Sequence, residues 1–247
     1  MLAYLEGLTD AGSIEEVWHL HVKQMASYGF DRLIYGFTRY RTATGFGDRE
    51  DLLILSNHGD AYLKPFIDEG LYFQAPMVKW ALHNTGACHW GWIAENEDML
   101  TDSERKIFEF NKSHGVTAGY SISFPDLSSR SKGAIALTAR VGMSQAEADA
   151  VWKRHGREII VMNNMAHLKL INLPYWGERK TLTARQREVL EWVGDGKTTA
   201  DIAIIMGLTP ATVEKHLRLA REALDVETTA QAVLKAAVQN QIFVLEA

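Results

Sequence analysis

From Leu182 onward the chain is punctuated for short helices and shows no strand alternation, which restricts this stretch to a small helical module. Thr183 stands in N-cap position before a run with Val189, Leu190 and Val193 on one face, and Gly194 or Gly196 ends it. Thr198 or Thr199 caps a second, shorter run that stops at Gly207. Thr209-Pro210 opens a third as N-cap and first helical residue, a position where proline's missing N–H costs nothing. A last helix is expected from about Thr228 to Asn240. Helix, short glycine turn, helix is a layout that can push its second helix into the DNA major groove while the first crosses the backbone. In the candidate reading helix, 210–223, Val213, Leu217, Ala220 and Leu224 recur every three or four residues and form the buried side. Thr212, Glu214, Lys215, Arg218, Arg221 and Glu222 are left outside, and Lys215 and Arg218, on neighbouring turns, can reach base edges or phosphates.

The front of the chain has a different texture. Residues 14–28 carry apolar side chains at helical spacing behind Ser13 as N-cap. Residues 33–40 and 52–57 read as strands joined by a turn over Gly45 to Asp48. Residues 59–84 are helical in pieces, broken by Pro65 and Pro76, and 87–92 read as a short aromatic strand. Thr101 and Glu104 have capping-box spacing ahead of a helix. Strands at 116–124 and 133–141 flank a hairpin loop, and Ser144 caps a long helix expected to thin or break at Gly156. The fold class is therefore α+β: an α/β/α sandwich on an antiparallel sheet of about five strands, followed by a four-helix module. Proline, glycine and charge cluster at 172–181, which divides the chain into domain 1–171, linker 172–181 and domain 182–247. A sheet covered on both faces by amphipathic helices can hold a small apolar cavity.

Composition narrows the function classes. With 247 residues, 47% hydrophobic and 23% charged, the chain can bury a sizeable core without staples. One cysteine, Cys88, excludes an internal disulfide framework and a multi-thiolate zinc site. The first ten residues lack the basic-then-apolar pattern of a secretory signal, and no apolar run approaches the roughly 18 residues a membrane helix needs. A cytoplasmic protein without a membrane partner is expected. The net charge of −5 argues against non-specific coating of nucleic acid but leaves room for a reader with local positive charge. His19 with His21, and Cys88 with His89, do not share a face, so no metal and no cofactor are expected. No phosphate-binding loop, nucleophile elbow or dinucleotide fingerprint is present, so the chain is read as not an enzyme. An enzyme domain fused to a DNA reader is the rival from another class.

Leu182-Thr183, Arg187-Glu188-Val189-Leu190, Gly196-Lys197-Thr198, Asp201-Ile202-Ala203, Thr212-Val213 and His216-Leu217 fall in one ungapped register. In that register residues 182–226 closely resemble the DNA-binding domain of LuxR-family transcription regulators. Gln186 departs from the glutamate usual there, keeping an acceptor without the charge. The resemblance implies a homodimer on a two-fold symmetric double-stranded operator, with RNA polymerase as a further partner. Its DNA-contact set is Lys197, Thr198, Thr212, Lys215, His216, Arg218 and Arg221. Residues 182–247 hold seven Lys/Arg against nine Asp/Glu, a net of −2. Binding is therefore expected to need dimerisation and to fall steeply with salt.

The domain before this module resembles, in length and order of elements, the autoinducer-binding sensor of the quorum-sensing branch, whose ligand is an N-acyl-homoserine lactone. Pro76 with Val78, Trp90, and Gly119 after Gly115 match the branch's anchors. Register then puts Tyr62 where the family has a tryptophan, Phe66 where it has a tyrosine and Ala75 where it has an aspartate. The resemblance implies that this aspartate takes the ligand amide N–H, and a hydrogen bond to a charged group contributes about 1.5–3 kcal/mol. The expected ligand set is Tyr62, Phe66, Ala75, Val78 and Trp90, with Tyr35 and Phe108 beside them. Largely without the family's polar set, the pocket is expected to take a differently arranged signal, or none. A conventional lactone receptor with an adapted pocket is the alternative. The long helix 144–169 and Ala232, Leu234 and Val238 of the last helix are the candidate dimer contacts.

Overall fold

The computed structural model describes residues 1–42, 46–47, 49–126, 128–174 and 182–243. Residues 175–181 of the expected linker, and Gly45 and Asp48 of the expected turn, lie outside that set. The chain divides into two compact units, Met1–Leu170 and Ile171–Ala247.

The first unit opens with two helices, α1 (Leu2–Asp10) and α2 (Ile14–Ala26), the second capped by the Ser13 hydroxyl. Strands β1 (Phe30–Thr38) and β2 (Leu53–Ser56) follow. The short α3 (Asp60–Leu63) widens into a π turn around Pro65, and α4 (Pro76–His83) begins on Pro76. Then come β3 (Gly86–His89), α5 (Gly91–Glu95), α6 (Asp102–Ser113), β4 (Gly119–Ser123), β5 (Lys132–Ala139) and α7 (Gln145–Asn172). The five strands form an antiparallel sheet in the order β2-β1-β5-β4-β3.

Large and small side chains are sorted between the two faces of this sheet. Leu33, Tyr35 and Phe37 of β1, Tyr120 and Ile122 of β4, and Ile135 and Leu137 of β5 alternate onto one face, where α7 closes a dense layer. Tyr35 reaches His167 of α7 at 2.9 Å, and the His167 ring stacks on Phe124 at 4.1 Å. Tyr4 of α1 hydrogen-bonds His21 of α2 at 2.6 Å, and His21 Nε2 meets Asn163 Oδ1 of α7 at 3.0 Å, a buried polar chain that ties the three helices. On the opposite face the paired positions are small. Gly36 faces Ala134 across the β1–β5 ladder, and Ser121 faces Ala136 across β4–β5. Helices α3, α4 and α6 cover this face, and the small residues leave space beneath them.

The sequence reading differs from the structure at three places in this unit. Helix α1 was not anticipated, because Tyr4 and Leu8 are its two buried residues and give little periodicity. The strand expected over 87–92 ends at His89, since Trp90 already has helical backbone angles and leads into α5. Helix α7 runs unbroken through Gly156. A Cβ there would sit 2.9 Å from the Trp152 indole, so the glycine makes room for that ring and does not end the helix.

The second unit holds α8 (Ala184–Gly194), α9 (Thr199–Met206), α10 (Pro210–Leu224) and α11 (Thr229–Val238). Thr183, Thr198, Thr209 and Thr228 each cap the next helix through the side-chain oxygen. Gln186 completes a capping box by accepting from Thr183 N at 2.8 Å, the acceptor role left open by its missing charge. Gly207 takes the left-handed conformation, φ +65°, that ends α9. Val213, Leu217, Ala220 and Leu224 are buried with Leu182, Val189, Leu190 and Ile202 in one core. Ala232 lies in the same core at 0% exposure, which removes it from the expected dimer contacts, whereas Leu234 is exposed.

Candidate functional site

The space above the small-residue face is a cavity of about 170 Å³. Ile34, Gly36 and Thr38 of β1, Ser121 of β4 and Ala134, Ala136 and Thr138 of β5 floor it, and α3, α4 and α6 with their flanking turns supply the walls. Tyr62, Phe66, Ala75, Val78, Trp90 and Phe108 all border it. Tyr62 is the centre of an aromatic column, stacked with His58 at 4.7 Å, Phe66 at 5.0 Å and Phe110 at 5.4 Å. Burial pushes the Tyr62 phenol well above its usual range despite the nearby Arg32 charge, so it stays a neutral donor. That donor is already engaged, giving its hydrogen to Asn111 Oδ1 at 2.9 Å. Phe66 brings a ring to this column and no hydroxyl. Trp90 donates its indole N–H to Ser121 Oγ at 3.0 Å.

Ala75 is buried in the cluster formed by Tyr62, Phe66, Tyr72, Ile107 and Val116, and it starts α4 without a side-chain cap. Among the described residues lining the cavity there is no carboxylate. Lys132 is the one charged side chain there, and its ammonium is held by Asp126 Oδ1 at 2.9 Å and Asn84 O at 3.1 Å. Tyr35 belongs to the bordering strand, but its hydroxyl is turned to His167 on the other face. Phe108 sits at the exposed rim.

Three cavity residues were not singled out from the sequence: Asn111, Ser121 and Thr138. Nothing in their local spacing marks them. The alternation of glycine, alanine and serine at 36, 121, 134 and 136 is the signal that could have located the cavity floor.

In the second unit α10 presents one outward face. Lys215 is exposed, as is Lys197 ahead of α9. Thr198 caps α9, and its hydroxyl also reaches the Asp201 carboxylate at 2.6 Å. Thr212 shares a hydrogen bond with Thr209 at 2.9 Å, which places it at the start of α10. Arg218 is paired with Glu222 one turn on. Arg221 donates to Thr229 Oγ1 at 2.9 Å, so it braces α11 against α10. His216 is half-buried. Thr199 donates to Glu214 at 2.8 Å and fixes the angle between α9 and α10 from their outer surface.

The model of the autoinducer binding domain matches residues 13–170, and that of bacterial regulatory proteins of the luxR family matches residues 180–236. The chain belongs to the LuxR family of transcriptional regulators. It is 26% identical to the transcriptional activator protein AnoR of Acinetobacter nosocomialis over 87% of each chain. It is 25% identical to the transcriptional activator protein LuxR of Aliivibrio fischeri over 78% of this chain and 76% of that one. Its fold is that of SdiA in complex with octanoyl-rac-glycerol (TM-score 0.54, 17% identity, 99% of this chain and 96% of that one). It is also that of the N-acylhomoserine-lactone-dependent CepR2 of Burkholderia cenocepacia (TM-score 0.53, 18% identity, 68% of this chain and 94% of that one). LuxR-type members are regulators, not enzymes; they bind DNA through the C-terminal module and small-molecule autoinducers through the N-terminal domain. In this LuxR-family chain the two parts are the cavity unit and the unit carrying α10. No helix among the described residues is long and apolar enough to cross a membrane.

Proposed function

We propose that this regulator works in the cytoplasm as a homodimer on a two-fold symmetric operator, and that its cavity takes a small molecule other than a standard N-acyl-homoserine lactone. The carrying observation is Ala75. It lies in an apolar cluster, with no carboxylate among the described lining residues and the Tyr62 hydroxyl already given to Asn111, and the sequence register puts it where the family has an aspartate. A ligand amide N–H buried there would lose its water partners and gain no charged acceptor. Val161, Met165 and Leu168 form an exposed apolar line on α7, and Leu234 stands out from α11; these support dimer contacts in each unit. Two α10 helices would then meet half-sites about one DNA turn apart, with Lys215 reaching base edges or phosphates. Ligand occupancy would shift the population of the DNA-competent dimer, and RNA polymerase is the partner downstream.

Calorimetric titration of N-butanoyl-homoserine lactone into the full chain and into Ala75→Asp tests this reading. The wild type should bind weakly, and a new charge-assisted hydrogen bond should tighten the variant by about tenfold or more. Tight binding by the wild type, with no gain in Ala75→Asp, would instead establish the conventional receptor with an adapted pocket.

A further inference from the structure

Tyr72 lines the same cavity, and its hydroxyl is buried with no hydrogen-bond partner among the described residues. The residue is 7% exposed, on the turn that follows Gly70. Its ring stacks on Phe73 at 4.2 Å and lies 6.1 Å from Phe46, so it is held in place while its polar end is unsatisfied. Three other buried phenol hydroxyls are paired: Tyr4 to His21, Tyr35 to His167 and Tyr62 to Asn111. A hydroxyl left unpaired in an apolar wall lowers stability, and an acceptor atom of a bound ligand would satisfy it. Ser121 offers a second donor to the same space. It accepts the Trp90 indole N–H, and its own hydrogen has no acceptor among the described residues.

The available groups are therefore donors in an apolar, aromatic enclosure. Burial pushes the Tyr72 phenol up, against the pull of the Arg49 charge, so it is a neutral donor. The cavity volume, about 170 Å³, is close to that of an engineered apolar cavity of about 150 Å³ that holds benzene. We infer that the signal is an uncharged, ring-sized molecule bearing a carbonyl or comparable acceptor oxygen, and that Tyr72 is the residue that binds this oxygen. The inference rests on the cavity being a small-molecule site and names the ligand class for it. It differs from an acyl-amide ligand in needing no carboxylate partner, and it excludes anions, because the one lining cation, Lys132, is already paired.

The test compares the full chain with Tyr72→Phe, a change that keeps the ring. The probes are acetophenone, ethylbenzene as the same shape without oxygen, and N-butanoyl-homoserine lactone, read by calorimetry and thermal unfolding. The wild type should bind acetophenone about tenfold more tightly than ethylbenzene, and Tyr72→Phe should bind the two about equally with ethylbenzene unchanged. Ligand-free Tyr72→Phe should melt no lower than the wild type, because it removes an unsatisfied buried group. An acetophenone preference that survives in Tyr72→Phe overturns the Tyr72 anchor while leaving the cavity a ligand site. A clearly lower melting point of the ligand-free variant also overturns it, by showing that the hydroxyl has a protein partner. Tighter binding of the lactone than of acetophenone, unchanged in Tyr72→Phe, overturns the ligand class and restores the lactone reading. Failure of all three probes to bind the wild type removes the small-molecule site itself.

Discussion

Replacing Gly119 by alanine should dismantle the edge of the sheet that carries Trp90. Gly119 opens β4 with φ +155°, and a Cβ there would lie 2.2 Å from the Leu137 carbonyl oxygen and 3.0 Å from the Trp90 ring. Carbon and oxygen approach to about 3.3 Å at their closest ordinary contact, so β4 and β5 must part by about 1 Å. The bonds at stake are Trp90 N to Gly119 O at 3.0 Å, Gly119 N to Gln145 Oε1 at 3.0 Å and Ala139 N to Ala118 O at 2.9 Å. Loss of two of them at about 1 kcal/mol each, with backbone strain of about 1–3 kcal/mol, gives a cost of about 4 kcal/mol. That is a large part of the roughly 5–15 kcal/mol by which a domain is stable. With a urea dependence of about 2 kcal/mol per molar, the unfolding midpoint should drop by about 2 M. Tryptophan fluorescence reports on the right unit, because five of the seven tryptophans lie in Met1–Leu170. A midpoint within about 0.5 M of the wild type would refute the steric reasoning.

Three further outcomes are expected. His21, His58 and His167 are each held neutral, down to about 4, by burial, with the Arg32 charge adding to it at His58 and the Arg39 charge at His167, while the Asn163 bond to His21 opposes it. The unfolded chain takes up these protons near pH 6.5 and the folded one near 4. Stability is therefore complete above about 6.5 and is lost as pH falls toward 4, by up to about 1.4 kcal/mol per pH unit for each histidine. Melting temperatures of the first unit measured from pH 7.5 to 4.5 should fall accordingly, and a flat profile would contradict it. Lys215→Ala should leave the circular dichroism spectrum unchanged and weaken operator binding by about tenfold, with a salt dependence shallower by about one ion; equal affinity would remove α10 as the reading helix. Thr198→Ala loses the hydroxyl that accepts from Asp201 N, while the bond from Thr198 N to the Asp201 carboxylate is kept, and should destabilise the second unit by about 1 kcal/mol in chemical denaturation, whereas an unchanged midpoint would mean that the hydroxyl cap is not formed in solution.

The second unit was the more legible part of the sequence because its helices are delimited by local chemistry. Thr183, Thr198, Thr209 with Pro210, and Gly207 act within one turn of their own position, so the pattern alone locates them. The long-range partners were not legible. Arg221 looked free for DNA, but Thr229 of the next helix engages it, and Ala232 looked available but fills the core. In the first unit the strands were found by alternation, while Gly156 was misjudged because its reason is the Trp152 side chain and not the backbone. The family register found the cavity's aromatic wall at Tyr62, Phe66 and Trp90. It could not find Tyr72, Asn111 or Ser121, which meet only when three separate segments are folded over the sheet.

Native mass spectrometry of the full chain purified from its own host asks most directly whether the front unit is a sensor with a reorganised ligand set. One uncharged small molecule per chain, with a mass that is not that of an N-acyl-homoserine lactone, is the expected result. A chain carrying only such a lactone, or one that is always bare while binding its operator at full strength, would contradict it.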